Sequence, residues 1–216
     1  MQKRIKLISC KALAHLFEPM IDPAMERVIL PISLHLNPQK LKARLIDEIS
    51  KIEAPGWDII LGYGLCGRAL EGVYSNKSRL ILPRVDDCVG AVLGSRHRHK
   101  AILDEDTGCF FLEPSWIDSD VDIFAQCFKG IERIPEKYRD QIIWMALKHY
   151  SKLALIHHAR DSSSPAVSTC RGRAENYHLK FVQYLSDLSL LQDLSNGQWD
   201  SDRFVIVEPG QRIPFF

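Results

Sequence analysis

WDIILGYGLCG, residues 57–67, carries the clearest signal of the fold in this sequence. Its first seven residues form a largely apolar run that follows Pro55-Gly56 and leads into a glycine-rich loop, which predicts a buried strand. Residues 80–85 form a second run of this kind, and helical patterns separate such runs along the chain. Strands that alternate with helices predict a mostly parallel sheet that is covered on both faces.

The alternation of strands and helices continues on both sides of residues 57–67 and covers the whole chain. Asn37-Pro38 predicts a helix start, because asparagine is a good N-cap and proline suits the first helical position. The predicted strands are residues 4–10, 27–34, 57–63, 80–85, 109–112, 152–157 and 204–207. The predicted helices are a stretch around Leu13, Leu16 and Phe17, and residues 38–52, 138–150, 168–177 and 188–194. The fold class is therefore α/β, with three layers: a mostly parallel sheet with helices on both faces.

The bulk composition fits one globular domain over residues 1–216, or two pseudo-similar lobes at about 1–105 and 106–216. Lys and Arg number 28 against 27 Asp and Glu, so the net charge of +1 provides no electrostatic basis for binding nucleic acid or an anionic membrane. No apolar segment reaches the length of a membrane span, and the N-terminal residues lack a signal-peptide pattern. We expect a cytoplasmic protein whose six cysteines do not form disulfides.

Three cysteines occupy the same position relative to the predicted strands. Cys10 closes the first strand, Cys66 follows the third and Cys88 follows the fourth. The carboxyl ends of parallel strands lie along one edge of a sheet, where α/β proteins build their sites. If these strands are neighbours, the three thiols converge, and thiolate sulfur is a preferred ligand of zinc and of iron–sulfur centres.

The local sequence also suits a thiolate site. Cys66 and Cys88 both fall where a helix is predicted to begin, so free N–H groups would stabilise negative charge on sulfur. Gly62, Gly64 and Gly67 leave room for close backbone approach to a bulky ligand. The alternative is that these cysteines are structural thiols, because free cysteine is among the most buried residue types.

Other residues near these strand ends have two interpretations each. Asp87 is a candidate general base or a helix N-cap, and Tyr63 is a candidate catalytic phenol or a packing residue. The positive residues Arg84 and 96–100 would bind a carboxylate or phosphate, or form a solvated loop. Of the pair at residues 157–158, one histidine is a candidate fourth metal ligand at the same sheet edge.

Six blocks of the sequence resemble the family known as the domain of unknown function 1638, from methanogens and other anaerobes. They cover nearly the whole chain, and they are SCKAL at 9–13, LGYGLCG at 61–67, PRVDDC at 83–88, LGSR at 93–96, EPSW at 113–116 and GQWD at 197–200. The resemblance implies metal ligation by Cys10, Cys66 and Cys88. It also implies substrate-binding roles for Gly64, Arg84, Ser95 and Arg96, and structural roles for Cys109, Cys127 and Cys170.

These features lead to several functional hypotheses. The first is a [4Fe-4S] cluster with one open iron that acts on a small oxygen-bearing substrate, as in an iron–sulfur lyase or hydro-lyase. Family members are often encoded near corrinoid methyltransferases, so a methyl-transfer role with a corrinoid protein or methyltransferase as partner is the second. A zinc–thiolate site, an accessory redox or metal-handling protein, and a metal-free binding protein are the alternatives. A homodimer is the default oligomeric expectation.

Overall fold

The computed structural model describes residues 4–117, 119, 122, 124–125, 128, 130–158 and 164–216. Its strands are β1 (Ile5–Cys10), β2 (Arg27–Leu30), β3 (Asp58–Gly62), β4 (Arg79–Pro83), β5 (Cys109–Leu112), β6 (Lys152–His157), β7 (Lys180–Leu185) and β8 (Phe204–Val207). Its α-helices are α1 (Lys11–Phe17), α2 (Pro38–Ile52), α3 (Cys88–Val92), α4 (Arg96–Glu105), α5 (Glu136–Leu147), α6 (Pro165–Asn176) and α7 (Ser189–Asn196). No helix in these ranges combines the length and the hydropathy that a membrane crossing requires.

The chain divides into two compact units. The first comprises Met1–Arg98 and Asp187–Phe216, and the second comprises His99–Ser186. The first unit holds a five-stranded sheet in the order β2-β1-β3-β4-β8, in which only β8 is antiparallel, and the second holds the parallel sheet β5-β6-β7. The predicted α/β class with mostly parallel strands is confirmed, although the strands form two sheets. The single-domain interpretation of residues 1–216 stays a prediction.

The first sheet is covered on both of its faces. Ile59, Ile60 and Leu61 are all fully buried, and successive side chains of a strand point to opposite faces. Helix α7 contacts β3 and β4, and α2 buries an apolar stripe at helical spacing. As predicted, α2 begins after Asn37, whose side-chain oxygen accepts a hydrogen bond from the Lys40 amide at 3.0 Å. Apolar side chains are therefore buried on both faces of this sheet.

The second unit has its own apolar core. Leu153 and Leu155 of β6 are fully buried and lie in one cluster with Phe124 and Cys170. Cys109 is also buried, at the start of β5. These positions fit the structural roles expected of the two cysteines, whereas the prediction for Cys127 lies outside the described residues. The five cysteines within the described ranges form no disulfide.

Several predicted elements differ from the structure. The strand predicted over residues 27–34 ends at Leu30, because Pro31 cannot donate to the ladder, and a 3₁₀ helix (Ile32–Leu36) follows. The basic run at residues 96–100 is the first half of α4 rather than a loop. Strand β7 was not predicted; most of its side chains are exposed or half-buried, so it lacks the apolar run of a buried strand.

Gly62 permits close packing where β3 ends beside β1. A Cβ at this position would lie 2.5 Å from Ser9 Oγ and 2.6 Å from the Phe17 ring. We expect Gly62→Ala to lower the free energy of unfolding by about 1–3 kcal/mol, the usual cost of overpacking a core. Chemical denaturation measures this difference.

Gly172, within α6, is the matched control because a Cβ there would meet nothing within 4 Å. Gly172→Ala should raise stability by about 0.5–1 kcal/mol, since alanine favours helix. Equal stability of the two alanine variants would show that the close packing at Gly62 is not important.

Candidate metal centre

Each of four neighbouring parallel strands of the first sheet has a sulfur or imidazole side chain at its end or within the next five residues. In the sheet order β2-β1-β3-β4, these are His35 after β2, Cys10 at the end of β1, Cys66 after β3 and Cys88 after β4. Their origin in distant parts of the sequence does not prevent convergence, because the carboxyl ends of parallel strands share one edge. The structure thus brings the three predicted cysteines to one edge and adds a histidine.

Three of these side chains form a tight group. One ligand atom each from Cys10, His35 and Cys88 all lie within 4.8 Å of one another. In a tetrahedral zinc site, with Zn–S near 2.3 Å and Zn–N near 2.0 Å, ligand atoms stand roughly 3.5–3.8 Å apart. The three atoms therefore need only a small contraction to hold one metal ion.

Cys10 joins β1 to α1. Its thiol is fully buried, and its sulfur accepts a hydrogen bond from the Ala12 amide at 3.4 Å, so it caps the helix. The hydrogen bond with Cys88, together with burial, raises the pKa of Cys10 far above that of an ordinary thiol. Without a bound cation, the Cys10 thiol is therefore neutral at physiological pH.

His35 lies in the 3₁₀ helix after β2, and its ring is oriented by the backbone. Nδ1 is 3.1 Å from the carbonyl oxygen of Ile32. Because a carbonyl only accepts, Nδ1 carries the proton, and Nε2 of the neutral ring keeps its lone pair. Nε2 is buried and has no hydrogen-bond partner among the described residues. Metal-binding histidines are commonly held in this way, with one ring nitrogen bonded to a backbone carbonyl and the other left for the metal.

Sequence reasoning missed His35. Residues 27–34 were predicted to be one strand, which placed the histidine beyond it without a structural context. The available signal was its position after an apolar run, just before the helix start at Asn37-Pro38. The same logic of strand ends that selected the cysteines also selects this residue.

Cys88 is the first residue of α3, as predicted. Asp87 is the N-cap, since its carboxylate accepts a hydrogen bond from the Gly90 amide at 3.1 Å. The hydrogen bond from Cys10 acts to lower the pKa of Cys88, but the hydrogen bond with Cys66 and burial outweigh it and raise this pKa well above normal. The capping interpretation of Asp87 is confirmed, and its role as a general base stays a prediction.

Cys66 lies in a turn with φ of 48°, so the prediction that a helix begins there is wrong. Its amide donates to the Asp86 carbonyl at 2.8 Å and is therefore not free to stabilise a thiolate. A Cβ on Gly64 would lie 2.5 Å from the Asp87 amide nitrogen, so only glycine allows the loops after β3 and β4 to approach this closely. Cys66 contacts Cys88 but is outside the tight group.

The phenol of Tyr63 lies beside His35 and close to the three cysteines. The side chain is fully buried, its oxygen has no hydrogen-bond partner among the described residues, and its ring stacks on His35 with centroids 6.0 Å apart. Burial, followed by the charges of the three cysteines, raises the pKa of Tyr63 well above its usual value. The neutral phenol is thus a hydrogen-bond donor that faces the thiols.

The predicted substrate-binding side chains already make contacts within the protein. Arg84 donates to two backbone carbonyl groups, at 3.0 and 3.4 Å. Arg96 forms a bidentate ion pair with Asp86 at 3.0 and 3.1 Å, and Ser95 Oγ accepts a hydrogen bond from a helix amide at 3.3 Å. Together with Gly64, which serves close packing, these residues have structural functions; their substrate-binding roles stay predictions.

The prediction that His157 and His158 reach the same sheet edge as the cysteines is wrong. They end or follow β6, which belongs to the sheet β5-β6-β7, whereas the cysteines follow strands of the other sheet. The alternation of strands and helices indicates parallel pairing but does not say how many sheets result, and this is why the sequence did not separate them.

Fold and site together define an α/β protein with a thiol- and imidazole-lined centre at the carboxyl edge of a parallel sheet. The family described as "Protein of unknown function (DUF1638)" matches residues 29–195, which is more than half of the chain and includes His35, Cys66 and Cys88. The chain belongs to this family, as the sequence blocks indicated. Neither the curated proteins nor the solved structures contain a match.

The raised pKa of Cys88 makes its alkylation depend steeply on pH in the metal-free protein. Because only the thiolate reacts, we expect the iodoacetamide rate at Cys88 to rise about tenfold per pH unit from about pH 8 to about pH 10. An ordinary thiol, with pKa near 8.5, levels off over this range. Peptide mass spectrometry measures the rate at each cysteine.

Cys109 is an internal comparison, because burial raises its pKa to about 11 and its rate should also keep rising. In denatured protein, both cysteines should level off together. A plateau at Cys88 below about pH 8 in the folded protein would contradict the raised pKa.

Proposed function

We propose that this protein binds one transition-metal ion through Cys10, His35 and Cys88 and presents it to a small substrate. The observation that carries the proposal is the buried Nε2 of His35 beside two thiols, without a hydrogen-bond partner among the described residues. A buried acceptor without a partner is costly, and coordination of a metal removes that cost.

Zinc is the ion that this set of ligands favours. Sulfur and imidazole together suit zinc, and two cysteines with one histidine form one of the known catalytic zinc sites, in which the fourth position is left for water or substrate. Two thiolates also balance the charge of a divalent cation, so the occupied site would be electrically neutral. Neutrality matters because Cys10 is fully buried, and an uncompensated charge there would be expensive.

The chain's own groups prepare this site. The Ile32 carbonyl holds the His35 ring in the tautomer that offers Nε2, and the Ala12 amide donates to the Cys10 sulfur. Asp87 anchors the helix that begins with Cys88. These contacts exist without any ion, so little reorganisation is needed for binding.

The fourth coordination position of the proposed zinc ion, which is left for water or substrate, indicates which class of substrate would bind. A bound zinc ion supplies Lewis acidity, which polarises or acidifies a ligand at that position. Tyr63 has a neutral, buried O–H among the same thiols and would donate a hydrogen bond to an oxygen or sulfur atom of that ligand. We therefore propose a small oxygen- or thiol-bearing substrate.

The second candidate is the predicted [4Fe-4S] cluster with one open iron. Its support is that Cys10, Cys66 and Cys88 come from three separate strand ends, as a cubane requires one thiolate for each of three irons. Thiolates that bind different irons stand farther apart than ligands that share an ion. Cys10 and Cys88 are in hydrogen-bond contact, and this proximity favours a single ion.

A corrinoid protein or methyltransferase is the partner that we propose for the methyl-transfer version of this function. The support is the family resemblance together with the chemistry of the centre, since a thiol held at an open zinc position is acidified and becomes a nucleophile at neutral pH. Such a thiol is a suitable acceptor for a methyl group. With a zinc-bound thiol as the methyl acceptor, the proposed activity is methyl transfer. With a [4Fe-4S] cluster, the proposed activity is that of a lyase or hydro-lyase.

Removal of any one of the three ligands should weaken metal binding strongly. We expect Cys10→Ser, His35→Ala and Cys88→Ser each to reduce zinc affinity at least about 100-fold, because loss of even an outer-shell contact costs about 10- to 100-fold. Anaerobic purification, metal analysis and competition with a chromophoric chelator measure stoichiometry and affinity. The wild type should hold one zinc per chain.

Cys109→Ala and His97→Ala are the matched controls, one buried thiol and one exposed imidazole that do not belong to the group, and both should keep full metal content. Cys66→Ala separates the two candidates: a single ion survives this change, whereas a cluster loses an iron ligand. About four irons per chain, with broad visible absorption, would replace the zinc proposal by the cluster. Absence of both metals after reconstitution would refute a metal function.

Tyr63→Phe should affect the bound ligand rather than the ion. The ring remains, so zinc content should stay at the wild-type level, but loss of the O–H should weaken binding of a small thiol to the cobalt-substituted protein. We expect a decrease of about 5- to 20-fold, corresponding to one lost hydrogen bond of about 1–2 kcal/mol. The visible spectrum of cobalt reports thiol binding, and unchanged affinity would exclude this role for Tyr63.

A further inference from the structure

The carboxyl edge of the second sheet gathers a different set of polar side chains. Glu113 follows β5, His158 follows β6 and Ser186 follows β7, and these three strands are neighbours in a parallel sheet. All three residues lie within the second unit, and none of them takes part in the proposed metal centre.

The three side chains form a continuous hydrogen-bonded relay. His158 Nε2 is 2.8 Å from Glu113 Oε1, and His158 Nδ1 is 2.8 Å from Ser186 Oγ. A carboxylate only accepts, so Nε2 carries the proton of the neutral ring. Nδ1 then has the lone pair, and the Ser186 hydroxyl donates to it. This is the arrangement of a hydroxyl, a general base and an orienting carboxylate.

The carboxylate of the relay is held firmly. Glu113 is 1% exposed, and its other oxygen accepts hydrogen bonds from the amide of Ser115, at 2.9 Å, and from the Ser115 hydroxyl. The base, by contrast, is accessible, because 37% of the His158 side chain is exposed, and Ser186 is half-buried. The relay therefore runs from a buried carboxylate through an accessible imidazole to a half-buried hydroxyl.

We propose that Ser186 is an activated nucleophile and that the second unit carries an acyl-transfer site for small esters. Ser186 Oγ attacks the ester carbonyl carbon while its proton passes to Nδ1 of His158. The carbon–oxygen bond to the alcohol then breaks, and the alcohol leaves with that proton. Water, deprotonated by the same nitrogen, hydrolyses the acyl-serine and restores the hydroxyl. Glu113 stays ionised and stabilises the imidazolium throughout.

The test uses a fluorophosphonate probe on the full-length protein. Ser186 Oγ should form a bond to phosphorus as the phosphorus–fluorine bond breaks, with fluoride leaving and the hydroxyl proton passing to His158. Mass spectrometry should locate the label on the peptide that contains Ser186, and Ser186→Ala should abolish it. A folded wild type that does not react, or label that persists in Ser186→Ala, would overturn the proposal.

Two further variants test the relay itself. Glu113→Gln keeps the size of the side chain but offers an N–H to Nε2, which moves the ring proton to Nδ1 and removes the acceptor for Ser186. We expect the labelling rate to fall at least about 100-fold, since the equivalent change in a serine protease triad costs about 10⁴-fold. His158→Asn, at an accessible position, should cause a similar loss and remains informative if Glu113→Gln does not fold.

The controls separate this site from other serines and from the metal centre. The Ser168 hydroxyl donates to the Pro165 carbonyl at 2.8 Å, and Ser168→Ala should leave labelling unchanged. Cys88→Ser should also label at the wild-type rate, since Glu113, His158 and Ser186 are not ligands of the proposed Cys10–His35–Cys88 centre. Normal labelling in folded Glu113→Gln and His158→Asn would show that the relay is structural only.

Discussion

The parallel register of the first sheet is the constraint on which the candidate metal centre depends. β1 lies between β2 and β3, with Cys10 opposite Leu30 and Ser9 opposite Gly62. The strands therefore end at one level, and the residues that follow them meet in a small volume. Gly62 and Gly64 allow the final approach, because a Cβ at either position would overlap neighbouring atoms. A shift of one residue in this register would separate the thiols and turn them to opposite faces.

The chemistry of the centre follows from burial without compensating charge. The hydrogen bonds among the thiols, together with burial, raise the pKa of Cys10 and of Cys88. A divalent cation at this position would reverse the balance, because it would favour both thiolates and would accept the lone pair of His35 Nε2. Metal binding at such a site is accompanied by proton release and adds its free energy to that of the folded state.

In each unit, the polar side chains discussed above lie at the carboxyl edge of that unit's own sheet. In the first unit the strand ends supply sulfur and imidazole, which are soft ligands suited to a transition metal. In the second they supply carboxylate, imidazole and hydroxyl, which are joined by hydrogen bonds. The architecture therefore repeats, and the residue types at the strand ends decide which chemistry each edge supports.

Strands and helices that are encoded by a few consecutive residues could be predicted from the amino-acid sequence alone. The apolar runs at residues 57–63 and 80–85 became β3 and β4, and the cysteines after them lie at the predicted strand ends, because periodicity and punctuation residues act over a few positions. The strand order, the division into two sheets and the position of His35 beside Cys10 and Cys88 became visible only in the tertiary structure. Those features depend on pairings between residues far apart in sequence, and a single sequence does not specify them. Strand β7 shows the same limit, since its partly exposed side chains carry no buried-strand pattern, and pairing with β6 defines it.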